Sequence, residues 1–380
     1  MGIKQLNHFL MENCTSKSIY KACLKQFANK TIVIDTSIYL YKFAEKNAVA
    51  ENMYLMISVF RQYNIVPVFV FDGKPPIEKK ALLIKRKIEK DAAEVKYNEL
   101  KSAMESGEYT TTTVTAALTE MDMLKKQFIR VSEKDIAKSK EIMRAYGVPY
   151  IESKGESDHL CAFLVKHGFA WACLSDDMDM FLYGCPRVIR HLSLLHHEGF
   201  MYDTAQILVD LDMTQDVFND IAILSGTDYN MTNHKSLSDT LRLYMRYREW
   251  SFSHETPSGL PTACAGYSAP LGESFNSDAF TIRSAVMSSH SLRRNCSNIN
   301  ASRQNTTKPV TFYEWLIETT DYIDDLNNLQ CVRKLFDLNV FLETHREEFK
   351  AVVDTMPFHM RDTDLELLKD VLLKDGFLFA

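Results

Sequence analysis

Acidic side chains recur in this sequence where short apolar runs end. They are Asp35, Asp72, the pair Glu156 and Asp158, the pair Asp177 and Asp179, and, after an apolar helical stretch, Asp228 in ILSGTDYN. If the runs are parallel strands, their carboxyl ends share one edge of a sheet, where α/β proteins bind ligands. Carboxylates gathered in one crevice raise one another's pKa values unless cations neutralise them. The pattern therefore predicts a cation site.

The types of ligand predict which cations bind. An oxygen-only set without His or Cys favours Mg²⁺ or Mn²⁺ over Zn²⁺. Two such ions can activate a water and stabilise the leaving oxygen of a phosphate displacement. We therefore expect two Mg²⁺ ions, for which Mn²⁺ can substitute, and phosphodiester hydrolysis. A phosphatase with an Asp-x-Asp nucleophile fits less well, because the first run continues Asp35-Thr36-Ser37.

The elements that must position these acids follow an α/β pattern. Apolar, β-branched runs alternate with helical stretches up to about Trp250. Continuous apolar strands are typical of a mostly parallel sheet that is covered by helices on both faces. The predicted strands are Thr31 to Ser37, Val66 to Gly73, Val148 to Ser153, Trp171 to Asp177 and Val188 to His191.

Changes in composition divide the chain into regions. We expect a catalytic core over residues 1–250, in which the stretch 74–146 is too long for one crossover helix and predicts two helices joined by a tip. Residues 251–308 are rich in Ser and Asn and predict a mobile linker or insertion. A helical pattern returns over 309–380 and predicts a small C-terminal region that packs on the core.

Composition excludes some classes of protein. The 380 residues carry 44 basic and 50 acidic side chains, a net charge of −6, and 46% hydrophobic residues. No apolar run reaches the roughly 18 residues of a membrane span, and the N-terminus does not resemble a secretory signal. The 8 cysteines include no C-x2-C pair and indicate reduced thiols. We expect an intracellular protein without a membrane partner.

Several motifs resemble those of the flap endonuclease family of structure-specific 5′ nucleases. The start MGIKQL resembles the family's MGI start, and IVIDTSIYLYKF resembles its first strand and following helix. VFVFDGKPP, YGVPYIESKGESDHLCAFLVKHG, DDMDMFLYGCPRVIRHL and ILSGTDYN match later motifs and carry the remaining acids. The resemblance covers about residues 1–230.

The resemblance implies a PIN-like 5′ nuclease core and an activity. The family cleaves 5′ flaps and trims 5′ ends with Mg²⁺, so Asp177 and Asp179 take catalytic and metal-binding roles, and the other five acids bind metal. The insertion resembles the helical arch through which a 5′ single strand threads. Lys79 and Arg86 match its basic pair, and their seven-residue spacing places them on one helical face.

Other DNA contacts are implied as well. Residues 74–90 hold seven basic side chains against two acidic ones, a net charge of +5 beside Asp72, which indicates a phosphate partner. Tyr41 matches an aromatic residue that stacks on a base next to the cut. Gly2 at the substrate-facing terminus and Lys85 on the basic stretch are further expected DNA contacts.

The sequence departs from the family pattern in three places. Asp158 replaces a usual Glu, and its shorter side chain can still reach a metal ion. After Asp228 the family's Gly-rich hairpin for duplex DNA and K⁺ is missing, so Lys235 and the arginines of LRLYMRYREW are expected to contact duplex instead. The chain ends DGFLFA without a sliding-clamp box, so we expect no clamp binding by that route. These departures resemble divergent members carried by large DNA viruses.

These observations predict a two-metal 5′ flap endonuclease and 5′-to-3′ exonuclease acting on branched, flapped or nicked DNA in replication, repair or recombination. Two alternatives remain: a 5′-to-3′ exonuclease on single strands or RNA, and a non-cleaving scaffold that binds DNA junctions. The retained acids favour an enzyme, because a scaffold has no need of a self-repelling cluster. We expect a monomer in the nucleus, with the cytoplasm, or a viral replication site for a viral protein, as the alternative.

Overall fold

The computed structural model describes residues 3–106, 111–230, 235–255, 310–356, 358–374 and 376–377. Gly2, the predicted tip of the insertion at 107–110, and the predicted linker from residue 256 onward lie outside the described residues. The chain divides into two compact units. We call residues 20–204 and 337–380 the sheet unit, and residues 1–19 and 205–336 the helical unit.

The sheet has seven strands and is mostly parallel, which confirms the predicted α/β class. The strands are β1 (Ile19–Cys23), β2 (Thr31–Asp35), β3 (Val66–Phe71), β4 (Tyr150–Glu152), β5 (Ala172–Leu174), β6 (Arg187–Ser193) and β7 (Glu198–Asp203). Their spatial order is β1-β7-β6-β5-β2-β3-β4. The pairs β2/β3, β2/β5, β3/β4 and β5/β6 are parallel, whereas β6 and β7 pair antiparallel.

The five predicted strands are all present, as β2 to β6. The interior strands β2 and β3 are continuous apolar runs because helices cover both faces: Val33, Val68 and Phe69 are fully buried. The sequence pattern did not predict β1 and β7. Both alternate buried with half-buried or exposed residues, as edge strands and hairpin partners commonly do, so neither contains a continuous apolar run.

Helices make up most of the remaining described residues. They are α1 (Leu6–Asn13), α2 (Thr36–Glu45), α3 (Val49–Gln62), α4 (Lys80–Glu105), α5 (Thr111–Gln127), α6 (Glu133–Ala145), α7 (Ser157–Lys166), α8 (Asp179–Leu182), α9 (Thr204–Leu211), α10 (Gln215–Leu224), α11 (Leu237–Glu255), α12 (Phe312–Thr319), α13 (Leu326–Leu335), α14 (Leu338–Thr355) and α15 (Leu365–Leu373). None of the helices in the described ranges pairs the length of a bilayer span with the apolar composition that one requires.

The insertion between β3 and β4 contains two long paired helices. In the 26 residues of α4, buried positions are few, so this helix gains little from packing and faces solvent over most of its surface. The ammonium of Lys96 contacts Glu120 of α5 at 2.5 Å, and the ring of Tyr97 meets Phe128 edge-on at 5.4 Å. These contacts join α4 to α5 and the segment that follows it.

The end of the chain packs onto the sheet unit through aromatic rings. Phe341 of α14 stacks on His159 of α7, with ring centroids 3.9 Å apart, and Phe349 stacks on Phe163 at 4.5 Å. Stacked aromatic pairs add to the stability that the buried area provides. Helix α7 carries Asp158, so the C-terminal helices support an element of the predicted site.

The helical unit contains an ion-pair network around one buried carboxylate, that of Asp220. Arg333 of α13 contacts Asp216 and Asp220 of α10 at 2.9 Å each. Burial raises the pKa of Asp220 to about 7, although Arg333 opposes the shift. The network fixes α13 against α10, since removal of one partner of a buried pair leaves an uncompensated charge.

A glycine is required where α6 leads into β4. Gly147 has φ of +67°, and its carbonyl oxygen accepts a hydrogen bond from the Arg361 amide at 2.8 Å. A Cβ at this position would lie 2.8 Å from the carbonyl oxygens of Arg361 and Asp362. The segment around 361 can therefore pack here only against glycine.

Gly147→Ala should lower the thermal midpoint more than Gly168→Ala does. Both positions have positive φ, +67° and +79°, so each variant suffers the left-handed backbone cost of roughly 1–2 kcal/mol. A Cβ at Gly168 meets nothing within 4 Å, whereas one at Gly147 displaces the C-terminal segment. Thermal denaturation of both variants checks this, and equal midpoints would contradict the packing role of Gly147.

Candidate active site

Six of the seven predicted acids belong to the sheet unit and lie at strand ends or helix starts. Asp35 is the last residue of β2 and Asp72 follows β3. Glu156 and Asp158 flank the first residue of α7, Asp177 lies between β5 and α8, and Asp179 is the first residue of α8. The fold thus places these side chains where the parallel strands end, as the sequence predicts.

These acids differ in exposure. Asp179, Asp35, Asp177 and Asp158 keep only 2%, 4%, 8% and 9% of their surface accessible, whereas Asp72 is exposed and Glu156 is half-buried. Buried carboxylates are costly unless they accept hydrogen bonds or meet a cation. The hydrogen bonds that these carboxylates accept are therefore important for their positions in the fold.

Two serine hydroxyls connect the acids. The Ser157 Oγ lies 2.7 Å from Asp72 Oδ1 and 3.2 Å from Asp35 Oδ1, and the Ser157 amide donates to the same Asp72 oxygen at 2.8 Å. The Ser175 hydroxyl donates to the other oxygen of Asp35 at 3.1 Å. The structure therefore brings Asp35 and Asp72 together through one shared hydroxyl.

The pair after β5 is fixed by its own backbone. The Asp177 amide donates to the Ser175 hydroxyl at 3.1 Å, and the Asp179 amide donates to the Asp177 carboxylate at 3.1 Å. Ser175 thus contacts both Asp35 and the loop of Asp177. This arrangement links the acids of β2 to the acids that follow β5.

The carboxylates are close enough to act on one another electrostatically. Burial raises the pKa of Asp35 to about 7, and the charges of Asp72 and Asp177 add to the shift, while the two serines oppose it. Burial also raises the pKa of Asp158, and Asp35, Asp177 and Asp72 add to that shift. This mutual repulsion is the expected property of a cluster that holds cations.

One basic side chain contacts the group directly. The Lys79 ammonium lies 2.8 Å from Glu156 Oε1, and both side chains are mostly buried. Gly73 permits a close approach of its own loop to the loop of Glu156, because a Cβ at Gly73 would lie 2.1 Å from the Ser153 carbonyl oxygen. The Gly73 amide also donates to the Gly155 carbonyl at 2.7 Å. The loop of Asp72 and the loop of Glu156 are therefore in tight contact.

The remaining predicted contacts of the sheet unit lie on α2 and α4. Tyr41 is 44% exposed, and the Lys90 ammonium lies 4.8 Å from its ring centroid. Lys90 is held by the Ile129 carbonyl at 2.9 Å. Its pKa is lowered by burial and by the charges of Arg130 and Arg86. Tyr41 and Arg86 thus both lie near Lys90. The Tyr41 ring remains partly exposed and could stack on a base.

Two predicted residues belong to the helical unit. Asp228 is half-buried in the turn after α10, where the Thr227 amide and hydroxyl contact the Asn230 side chain at 2.6 and 2.7 Å. The Lys235 ammonium contacts Asp324 at 3.0 Å and lies 4.5 Å from the Tyr322 ring centroid. Lys235 is thus ion-paired, and its contact with DNA stays a prediction, as does the metal-binding role of Asp228.

Comparison with known families adds an independent observation. The model of the XPG N-terminal domain matches residues 1–93, and the model of the XPG I-region matches residues 147–228. Over these two segments the chain is similar to the XPG family. All seven predicted acids, together with Lys79 and Arg86, lie within the two matched segments.

Relatives and solved structures extend the match. Flap endonuclease 1-A of Sorghum bicolor and flap endonuclease 1 of Glycine max are each 31% identical over 248 residues, which cover 60% of this chain and 62% of each relative. The match therefore spans less than two thirds of these relatives. The catalytic core of Rad2 in complex with DNA substrate is 18% identical, with a TM-score of 0.58, covering 99% of this chain and 96% of that chain. This likeness shows a shared fold.

Sequence reasoning missed several polar residues near the predicted acids. Ser157 and Ser175 each lie within two residues of predicted acids, in GESD and LSDD, which was the available signal. Asp176 contacts the Lys42 ammonium and accepts a hydrogen bond from the His191 amide at 2.7 Å. No local pattern marks this last group, because Lys42 and Asp176 are 134 positions apart.

The acids of the sheet unit fit a divalent cation in chemistry and charge. Their donor atoms are all oxygens, and a cation would offset the burial and the repulsion that together raise the pKa of Asp35 and of Asp158. Among the described residues, no three His, Cys, Asp or Glu side chains form a ready-made cage around one point. A carboxylate oxygen has two lone pairs, so one that accepts from a serine can still bind a cation.

Asp35→Asn should stabilise the protein in EDTA at pH 8. The folded chain keeps a proton on Asp35 up to about pH 7, whereas the unfolded chain releases it near 3.8, so this carboxyl lowers stability as pH rises between those values. The amide cannot ionise, and it can donate to a neighbouring carboxylate. Thermal midpoints measured from pH 4 to pH 8 should fall less for Asp35→Asn than for the wild type.

The control for this prediction is Asp354→Asn, which changes an exposed carboxylate on α14. Each kcal/mol of relieved repulsion corresponds to roughly 1 °C in the thermal midpoint of a chain of 380 residues. Identical pH profiles for the wild type and Asp35→Asn would show that Asp35 carries no electrostatic strain.

Proposed function

We propose that this protein is a divalent-metal-dependent nuclease, namely a structure-specific 5′ flap endonuclease and 5′-to-3′ exonuclease acting on branched or nicked DNA. The observation that carries the proposal is the buried, mutually repelling carboxylate group at the strand ends of the sheet unit. The relatives in sequence are flap endonucleases, and the Rad2 core of similar fold was solved with a DNA substrate. Both support the choice of DNA.

The acids supply the ligand set in this proposal. Two Mg²⁺ ions, or Mn²⁺ in their place, would provide activation of water and stabilisation of the leaving oxygen when bound. The residues of the sheet unit that would hold them are Asp35, Asp72, Glu156, Asp158, Asp177 and Asp179, and the metal-binding role of Asp228 stays a separate prediction. Asp177 and Asp179 lie on a short turn with fixed backbone hydrogen bonds, so their carboxylates are held with little freedom.

Lys79 and Arg86 are the groups proposed to orient the scissile phosphate. The two residues are seven positions apart at the start of the insertion, and the buried Lys79 already contacts Glu156. Lys79 contacts Glu156, a carboxylate that is proposed to bind a cation. A substrate phosphate would supply another anion for the Lys79 ammonium. A fixed cation at developing negative charge is a large contribution to phosphoryl transfer.

Contacts with unpaired and duplex DNA complete the proposal. The exposed ring of Tyr41 offers a face for one unpaired base, and the solvent-exposed Lys85 adds positive charge on α4. Among the basic residues expected on duplex, Lys235 and Arg248 form ion pairs with Asp324 and Asp212. These pairs must open for the side chains to bind phosphate, so we propose that duplex contacts are weaker here than at the arch. We further propose a nuclear monomer.

The decisive assay compares substrates and metals. Full-length protein is incubated with 5′-labelled double-flap DNA, and with single-stranded DNA and RNA of the same sequence, in Mg²⁺ and in EDTA. The wild type should release one discrete product at the junction in Mg²⁺ only. Asp177→Ala and Asp179→Ala should lose cleavage while they still retard the flap DNA in a gel, because they remove ligands and leave the basic insertion intact.

Other products would favour the alternatives. Mononucleotides released from any 5′ end would favour an exonuclease, as the missing Gly-rich hairpin allows. DNA binding without cleavage in either Mg²⁺ or Mn²⁺ would favour a junction-binding scaffold. Cleavage by Asp177→Ala or Asp179→Ala near the wild-type rate would show that the acids are not the metal site.

Lys79→Ala and Arg86→Ala should each lower the single-turnover rate of flap cleavage about 10²-fold, the loss expected when one fixed charge-stabilising group is removed. Both variants should still bind Mn²⁺ in a calorimetric titration. Lys101→Ala, an exposed lysine at the other end of α4 and about 22 Å from position 86 along the helix, is the matched control. Unchanged rates in both test variants would remove these residues from the mechanism.

A further inference from the structure

Ser157 has a role that the proposed chemistry does not yet include. It is the first residue of α7, between Glu156 and Asp158, and only 1% of its surface is exposed. Its side chain points at the ends of β2 and β3, where it contacts Asp35 and Asp72. Ser157 is therefore a buried serine adjacent to four acids of the proposed metal site.

The geometry shows an unequal bridge. A hydroxyl has one hydrogen, so it donates to one acceptor at a time. The distance of 2.7 Å to Asp72 and 3.2 Å to Asp35 identifies Asp72 as the stronger partner. The Ser157 amide donates to the same Asp72 oxygen at 2.8 Å. One oxygen of Asp72 thus receives two donors from a single residue at the start of a helix.

The bridge joins three separate parts of the sheet unit. Asp35 belongs to β2, Asp72 to the loop after β3, and Ser157 to α7, which is separated from the two acids by 122 and 85 positions. Asp35 and Asp72 repel each other, and this repulsion contributes to the raised pKa of Asp35. Without the hydroxyl, the Ser157 amide would remain to hold Asp72 toward α7, and the contact of Ser157 with Asp35 would be lost.

We propose that Ser157 is a positioning residue that fixes the separation of the Asp35 and Asp72 carboxylates, and thereby sets the affinity of the site for divalent cations. The inference rests on the proposed function, since it assumes that these two acids bind metal. Residues that orient metal ligands by hydrogen bonds contribute about 10- to 100-fold to metal affinity. Ser157 therefore acts on the cation through its two acidic neighbours.

The test is a calorimetric titration of Mn²⁺ into the full-length protein. Ser157→Ala should weaken the affinity for Mn²⁺ by about 10-fold and raise the Mn²⁺ concentration for half-maximal flap cleavage by a similar factor. Ser157→Thr, which keeps the hydroxyl, should restore the affinity. Ser139→Ala is the matched control, because Ser139 is equally buried in the sheet unit and donates its hydroxyl to a helix carbonyl at 2.8 Å.

The outcomes separate a positioning role from a structural one. Equal Mn²⁺ affinity of Ser157→Ala and wild type overturns the inference, and so does an equal loss in the alanine and threonine variants. Should Ser157→Ala fail to fold, Ser157→Cys, which keeps the volume and weakens the donor, is titrated in its place. A wild type that binds Mn²⁺ but cuts no DNA contradicts the proposed function, and the variants then still decide the role of Ser157. A folded wild type that binds no Mn²⁺ overturns both.

Discussion

Repulsion among buried carboxylates is the constraint on which the rest of the structure depends. Asp35 and Asp158 are buried beside further acids, and burial together with neighbouring negative charge raises the pKa of both. A chain can keep such a group only if rigid elements hold it. Here the interior strands β2 and β3 are buried on both faces, and the stacking of Phe341 of α14 on His159 packs α14 against α7. The sheet and the C-terminal helices therefore both hold in place carboxylates that repel one another.

Part of the compensation comes from the chain itself. The start of α7 directs an amide and a hydroxyl of Ser157 at Asp72, and helix N-termini stabilise negative charge. Ser175 donates to Asp35, and Lys79 contacts Glu156. The two serines lower the pKa of Asp35, but burial and the charges of Asp72 and Asp177 still raise it to about 7. A divalent cation would supply the remaining positive charge, which is the physical reason to propose a metal-dependent nuclease rather than a scaffold.

The sequence predicts the parts of this arrangement that depend on local patterns. Strands β2 and β3 are continuous apolar runs, and the strand-end position of Asp35 or Asp72 follows from the register of a parallel sheet. Strand β7 was not predicted from the sequence because buried and half-buried residues alternate along most of it, as in many antiparallel partners such as β7 and β6. The Ser157 bridge and the Lys42 to Asp176 contact also escape, because their partners lie 85 to 134 positions away and no spacing rule encodes such distances. For the same reason, the sequence does not predict the ion pair of Lys235 with Asp324.

The central claim is that divalent cations relieve the repulsion within the carboxylate group. Thermal denaturation of the full-length protein at pH 8, in EDTA and in increasing Mg²⁺, tests it most directly, because a ligand that binds only the folded state stabilises it by about 2.7 kcal/mol at 100 times its dissociation constant. The account predicts a thermal midpoint that rises with Mg²⁺ in the wild type and stays constant in the double variant Asp35→Asn, Asp177→Asn. A wild-type midpoint that is the same in EDTA and in Mg²⁺ would contradict it.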